Sequence, residues 1–299
     1  MLNFKRNRFR SCVLVLLNCF LLVFIFCKNN EQKNKSSELA KKTVWSEADA
    51  IIEKIGIIEF PDAIFNIADY GAIADGVSLN SKAFSDAIAA CSEAGGGKVV
   101  VPAGKYLTGP IQLKSNINLH LKAGSEILFT TDKSAYLPAV HTSYEGMELM
   151  NYSPLIYAKG QKNIAVTGKG ILNGQADKAN WWPWCGADKY GHQEGAPQQK
   201  DEHNLPTLFK MIEDGTPVEQ RIFGEGHQLR PLFLQTLECE RVLIEGVTFT
   251  NAPFWVIHPL KSSYVKVDGV TVNSHGPNND GYDPEYSKYV HITNCNFNT

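Results

Sequence analysis

The sequence predicts an all-β solenoid, a right-handed parallel β-helix with a short N-terminal capping helix. Three observations predict it. The segments IEGVTF (244–249), VDGVTV (267–272) and ITNCNF (292–297) share one frame, with apolar residues at both ends of a six-residue run. They recur at short steps, 23 residues from Ile244 to Val267 and 25 from Val267 to Ile292. IAVTGKGIL (164–172) is an earlier, weaker copy. A period in the twenties built on strand formers means that each unit is one coil, which buries its inward side chains only by stacking on its neighbours. Leucine-rich repeats share the period but need a Leu ladder and a fixed Asn, and neither is present.

The elements follow in order. Lys5, Arg6, Arg8 and Arg10 precede an apolar run from Ser11 to Cys27, interrupted only by Asn18. This is the pattern of an export signal, and its length is also the shortest that serves as a membrane anchor. Cys27 before a polar tract is open to lipidation, although the preceding Phe26 is larger than the small residue such sites prefer. Residues 1–27 are therefore expected to be a signal peptide or a lipoprotein or membrane anchor, and 28–60 a polar linker with a short helix. That helix is expected over Val44–Ile55, where Trp45, Ala48, Ile52 and Ile55 fall at helical spacing. The solenoid is expected over 61–299. Phe84, Ala87, Ile88 and Cys91 mark one face of a helix around 81–94, ended by Gly95-Gly96-Gly97. It is placed to cover the open edges of the first coil. The segment 174–228 breaks the repeat as a long insert.

Composition narrows the function. The chain has 299 residues, 43% hydrophobic and 20% charged, with a net charge of −2. That balance gives no electrostatic footprint for nucleic acid. Outside the leading apolar run, Cys91, Cys185, Cys239 and Cys295 show no metal-binding or disulfide-framework spacing. No cofactor and no metal site is expected, and the chain is expected to be a monomer. His192, Glu194, Asp201 and His203 in the insert also lack ligand spacing.

The chemistry concentrates near the C-terminal end. Asn278-Asn279-Asp280-Gly281-Tyr282-Asp283-Pro284 puts two carboxylates three residues apart in a bend between strand-like segments. With a 23-residue step, Trp255 falls over Asn278 and His258 over Gly281, one strand spacing of about 4.8 Å away. Asp280 reads either as a turn-forming residue or as a functional carboxylate. Asn278 and Asn279 are turn formers or substrate ligands. His258 is a sugar ligand or a structural histidine. Trp255 stacks on a sugar or packs. Arg230 pairs with a uronate carboxylate or forms an internal salt bridge. Trp181, Trp182 and Trp184 either bind sugar or anchor the insert.

The bend resembles the Asn-Thr-Asp-Gly-x-Asp-Pro motif of the polygalacturonase family, glycoside hydrolase family 28, with Asn279 in place of Thr. The run LRPLFLQ…RVLIEGVTFTNAPFWVIHPL…VKVDGVTVNSHGPNNDGYDP resembles the family in order, and FNIADYGAIADG…GGGKVVVPAGKYLTGPI resembles the first coils of several pectin-active β-helices. The resemblance covers about residues 64–299. It implies inverting hydrolysis of α-linked galacturonan (pectin or oligogalacturonides), in which one carboxylic acid protonates the leaving oxygen and a distant carboxylate activates water. Asp280 matches the water-activating group. Asn278, Asn279, Asp283, His258, Trp255 and Arg230 are the candidate substrate-binding set. The family's Asp-Asp pair, which includes the acid, is expected beyond Thr299, so the chain is expected to be an inactive piece of the enzyme. An exported location (extracellular, periplasmic or outer-membrane-anchored) and exo action, with the insert as a wall, complete the expectation. The alternatives are a rhamnogalacturonan hydrolase or rhamnosidase of the same family, a calcium-dependent pectate lyase, and a non-catalytic polysaccharide-binding β-helix.

Overall fold

The computed structural model of the protein describes residues 45–299. The expected signal or anchor (1–27) and most of the linker lie outside the described residues. Among those described, no helix is long and apolar enough to cross a membrane. The chain divides into two units, Met1–Glu53 and Lys54–Thr299. Of the first, the described part is helical, as the spacing predicts, within a helix that covers residues 45–55.

Alternation along short strands dictates the second unit. Val99, Leu119, Val166, Ile244 and Val267 are each at most 2% exposed and lie directly over one another in successive strands. Fully burying one such side chain is worth about 1.5–3 kcal/mol, and the ladder repeats it coil after coil. Three parallel sheets result. The first face has seven strands: Ile64–Asn66, Gly97–Val101, Ile117–Leu121, Lys162–Gly168, Glu240–Glu245, Ser263–Asp268 and Lys288–Thr293. The second also has seven, running from Asp75–Leu79 through Ile171–Asn173, Thr248–Thr250 and Thr271–Asn273 to Asn296–Asn298. The third has four, Ile111–Gln112, Ile156–Lys159, Leu234–Leu237 and Ile257–Leu260. Bridges from Ile257 to Tyr282 and from Leu260 to Glu285 extend it by one layer. This is the right-handed parallel β-helix that the period predicts.

Corners are made by stacked left-handed residues. Asn116, Asn163, Arg241, Tyr264 and Tyr289 all have φ between 52° and 63° and occupy one register column. Non-glycine residues rarely adopt this conformation, and here neighbours support it. Asn163 Nδ2 donates to Asn116 Oδ1 (3.1 Å), Arg241 Nε to Asn163 Oδ1 (3.1 Å), and the rings of Tyr264 and Tyr289 stack at 5.1 Å.

The capping helix is Ser81–Glu93. Its buried face, Phe84, Ala87, Ile88 and Cys91, joins Ile67, Val99 and Ile111 in the core. The glycines after it are required, because Gly96 sits at φ 119° with Asn116 O only 2.5 Å from where a Cβ would stand.

Two excursions leave the solenoid. The expected one begins at residue 174 and contains the helix Leu205–Glu213. The other has no counterpart in the repeat pattern. It is an antiparallel hairpin, Val140–Tyr144 with Met147–Asn151, inserted before the strand Ile156–Lys159. The insert supplies its third strand, Ile222–Phe223, paired with Met150 and Asn151.

Candidate active site

The third face carries the site, and the hairpin covers part of it. Tyr157, Gln235 and His258 form one register file, and the bridge at Ile257–Tyr282 continues it to Asp283. Tyr157 Oη donates to His141 O (2.6 Å) and Thr142 Oγ1 to Gln235 Oε1 (2.7 Å), so hairpin backbone and side chains cap this file. Beyond His258 the acidic bend begins, and only the tip of the hairpin reaches it, through Ser143 Oγ donating to Glu285 Oε2 (3.3 Å).

The step between coils lengthens at this point. It is 23 residues from Ser263 back to Glu240 and 25 from Ser263 on to Lys288. The two added residues lie between Asn273 and Tyr282. His258 therefore stands over Asp283, and Trp255 over Asp280, which corrects by two positions the stacking expected from a constant step. Val256 N–H donates to Asp280 C=O and Asp283 N–H to Ile257 C=O, both at 2.9 Å, and these bonds lay the bend against the coil below.

Buried polar groups hold the bend. Asn279 is 4% exposed. Its Oδ1 accepts from Ser274 Oγ (2.6 Å) and Gly276 N–H (2.8 Å), and its Nδ2 donates to Ala252 O (3.1 Å) and Phe254 O (3.3 Å). Arg230 is 1% exposed. Its Nη1 donates to Pro277 O (2.6 Å) and Pro253 O (3.2 Å), and its Nη2 to Asn278 Oδ1 (2.9 Å) and Gln199 Oε1 (3.2 Å). Its guanidinium lies 4.7 Å over the Phe254 ring. Tyr144, Phe254 and Trp255 form a continuous stack, with centroids 4.5 Å and 5.5 Å apart.

Three of the expected substrate ligands are thereby corrected. Asn279 spends its amide on the turn. Arg230 is enclosed and bonded to neutral oxygens, so it makes neither the uronate contact nor the salt bridge. His258 is 0% exposed. The tautomer that satisfies its neighbours donates from Nε2 to Glu285 Oε2 (2.8 Å) and accepts at Nδ1 from Gln235 Nε2 (3.1 Å). It orients Glu285 from below. The tryptophans of the insert are anchors. Trp181 is buried in the core against Tyr136 and Trp184, and Trp182 Nε1 donates to Ala252 O (2.9 Å).

Asp280 and Asn278 are exposed, and Trp255 and Asp283 are half-buried. Beside them stand two carboxylates that the motif did not suggest. Glu285 stands two residues after Asp283, on the same side of the chain and in register with Leu260, a signal that strand alternation could have supplied. Glu145 sits at the hairpin tip, where Glu145-Gly146 between HTSY and MELM is itself a two-residue hairpin signal. Burial pushes the Asp283 carboxyl up to about 7, with further push from the charges of Asp280 and Glu285, and its Oδ2 is buried without a partner. Glu145, although exposed as a residue, is held above the usual carboxylate range by desolvation. Arg230 opposes that shift and Asp280 adds to it.

The family model described as "Glycosyl hydrolases family 28" matches residues 220–299, which hold the bend with Arg230 and His258. A solved exopolygalacturonase from Thermotoga maritima, described as hyperthermoactive, is 48% identical, with a TM-score of 0.80 over 84% of this chain and 56% of its own. The chain belongs to glycoside hydrolase family 28. This family 28 chain also matches, over residues 64–181, the model described as "Rhamnogalacturonase A/epimerase, pectate lyase-like". Among curated relatives, the exo-poly-alpha-D-galacturonosidase of Dickeya chrysanthemi is 28% identical over 79% of this chain and 40% of its own length. A probable polygalacturonase of Vitis vinifera is 26% identical over 77% and 41%. The chain thus spans about two-fifths of the length of the curated relatives it matches.

Proposed function

We propose that this family 28 chain carries the water-activating half of a site that hydrolyses α-linked galacturonan with inversion. The observation that carries the reading is the bend itself. Arg230 and Asn279 fix its backbone from within the protein while Asp280 is left exposed beside Trp255. An inverting glycosidase needs a carboxylate held apart from the acid, with room for a water at the anomeric carbon. Asp280 accepts that water's proton as the C–O bond forms. Its neighbour Asp283 holds a proton to about pH 7, and so limits the negative charge beside an anionic substrate. The acid that protonates the leaving oxygen is assigned to no residue of this chain. Hydrolysis is preferred over β-elimination because the family 28 match covers the site.

Exo action is part of the same proposal. The hairpin lies across the third face on the side of the strand Leu234–Leu237, so a polymer lying along that face meets a wall at the bend. The insert contributes through Ile222–Phe223 rather than as a separate flap. Export through residues 1–27 fits a polymeric substrate, which does not cross membranes; fractionation and labelling of Cys27 with a lipid precursor test the address.

The test is a chimera in which the coils that follow this region in the Thermotoga maritima relative are appended to the chain. It is expected to release reducing sugar from polygalacturonate with an inverted first product, while residues 1–299 alone release none. Monomer or dimer should accumulate while viscosity stays high. An unsaturated product absorbing in the ultraviolet would make it a lyase, and turnover of rhamnogalacturonan alone would move the substrate.

A further inference from the structure

One carboxylate beside Asp280 has no task in this reading. Glu145 lies on the two-residue turn of the hairpin, with φ 48° followed by 84° at Gly146. Its Oε1 accepts from Asn278 Nδ2 (3.3 Å), and Arg230 holds the oxygen of the same amide (2.9 Å). The hairpin behind the tip is fixed. Tyr144 stacks on Phe254 and donates to Gln199 Oε1 (2.7 Å), and Ser143 Oγ donates to Glu285 Oε2 (3.3 Å). Glu145 is therefore a mounted wall group, tied two residues before Asp280.

Its chemistry selects what faces it. An ionised carboxylate accepts hydrogen bonds and donates none. A uronate sugar offers hydroxyls, which donate, and carboxylates, which repel. The edge that meets Glu145 must be a hydroxyl edge. Because the hairpin occupies the face behind the tip, the chain does not run on past it, and the sugar there is the last one. In a 1,4-linked galacturonan, a free 4-hydroxyl distinguishes the non-reducing terminal sugar from every internal one.

Resting on the galacturonan reading above, we propose that Glu145 is a specificity-determining residue, which accepts a hydrogen bond from the 4-hydroxyl of the non-reducing terminal sugar and so makes the site select chain ends. A donor arriving at this carboxylate also relieves the desolvation that it suffers at the wall. Catalysis needs no proton from Glu145 in this role.

The experiment titrates the full chain by calorimetry with two trimers. One is trigalacturonate, and the other carries a 4,5-unsaturated non-reducing sugar, which lacks the 4-hydroxyl. The saturated trimer is expected to bind at least about tenfold more tightly, since a site built to bond a hydroxyl rejects the analogue without it. Glu145→Ala should lose that preference by weakening the saturated trimer alone, with its thermal melt near that of the parent chain. Glu145→Asp, which keeps the charge, should recover part of it. Equal binding of the two trimers by the unaltered chain overturns the proposal without any variant. An Ala variant that weakens both trimers equally also overturns it, because that is a structural effect. Binding of neither trimer would refute the galacturonan reading itself, and this inference with it.

Discussion

Asp283 and Arg230 show how single residues set the properties of the bend. Asp283 has a folded-state pKa raised from the ordinary carboxylate range to about 7. Native protein therefore holds a proton that the unfolded chain releases near pH 4, and stability falls as pH rises from there through about 7. Thermal melts between pH 5 and 8 should show that fall, and Asp283→Asn should flatten it, gaining stability at pH 8 and little at pH 5. A slope unchanged by the substitution would show that Asp283 is ionised in the fold. Arg230→Met keeps much of the volume but strips donors from Pro253 O, Pro277 O and Asn278 Oδ1. It should cost about 1–3 kcal/mol for each buried oxygen left without a donor, and Arg230→Lys should not restore it because one ammonium cannot span the fork. The motif made Asp280 and Asp283 legible in the sequence. It did not tell which polar neighbours face inward: Arg230, His258 and Asn279 are enclosed by groups from other coils and, for Arg230, from the insert, which local spacing does not record.

At the scale of elements, the bend at 274–281 is the place where a 23-residue coil becomes a 25-residue one. The steps were readable from Ile244, Val267 and Ile292, but the position of the two extra residues was not, so the stacking of His258 shifted by two. Trp182 fixes the enlarged turn by lying against Gly276, where an added Cβ would meet the indole Nε1 and Asn279 Oδ1. Gly276→Ala should destabilise by about 1–3 kcal/mol through overpacking and should also change the fluorescence of Trp182 as the indole is pushed aside. A melt and an emission spectrum equal to those of the parent chain would contradict that packing. The hairpin is not legible in the repeat because its alternating strands sit inside a stretch that the solenoid period skips. Its turn, Glu145-Gly146, was the signal available.

Across the whole molecule, the fold was readable because a solenoid repeats one solution. Each inward ladder position is set by the same alternation, and agreement among three late coils sufficed to define the rest. The site was only half readable, because the hairpin and the insert, both departures from the repeat, decide which side chains meet the groove. Those departures also shape the proposed action, since a wall across the third face favours attack at a chain end. The central claim is that Asp280 activates the water. Steady-state turnover of polygalacturonate by the chimera with the Thermotoga maritima coils, compared with its Asp280→Asn variant, tests it most directly. The change is nearly isosteric and removes only the charge, so the variant should keep its melt and lose more than about two orders of magnitude in kcat, the contribution expected of a general base. A folded variant that turns over within a few-fold of its parent would contradict the account.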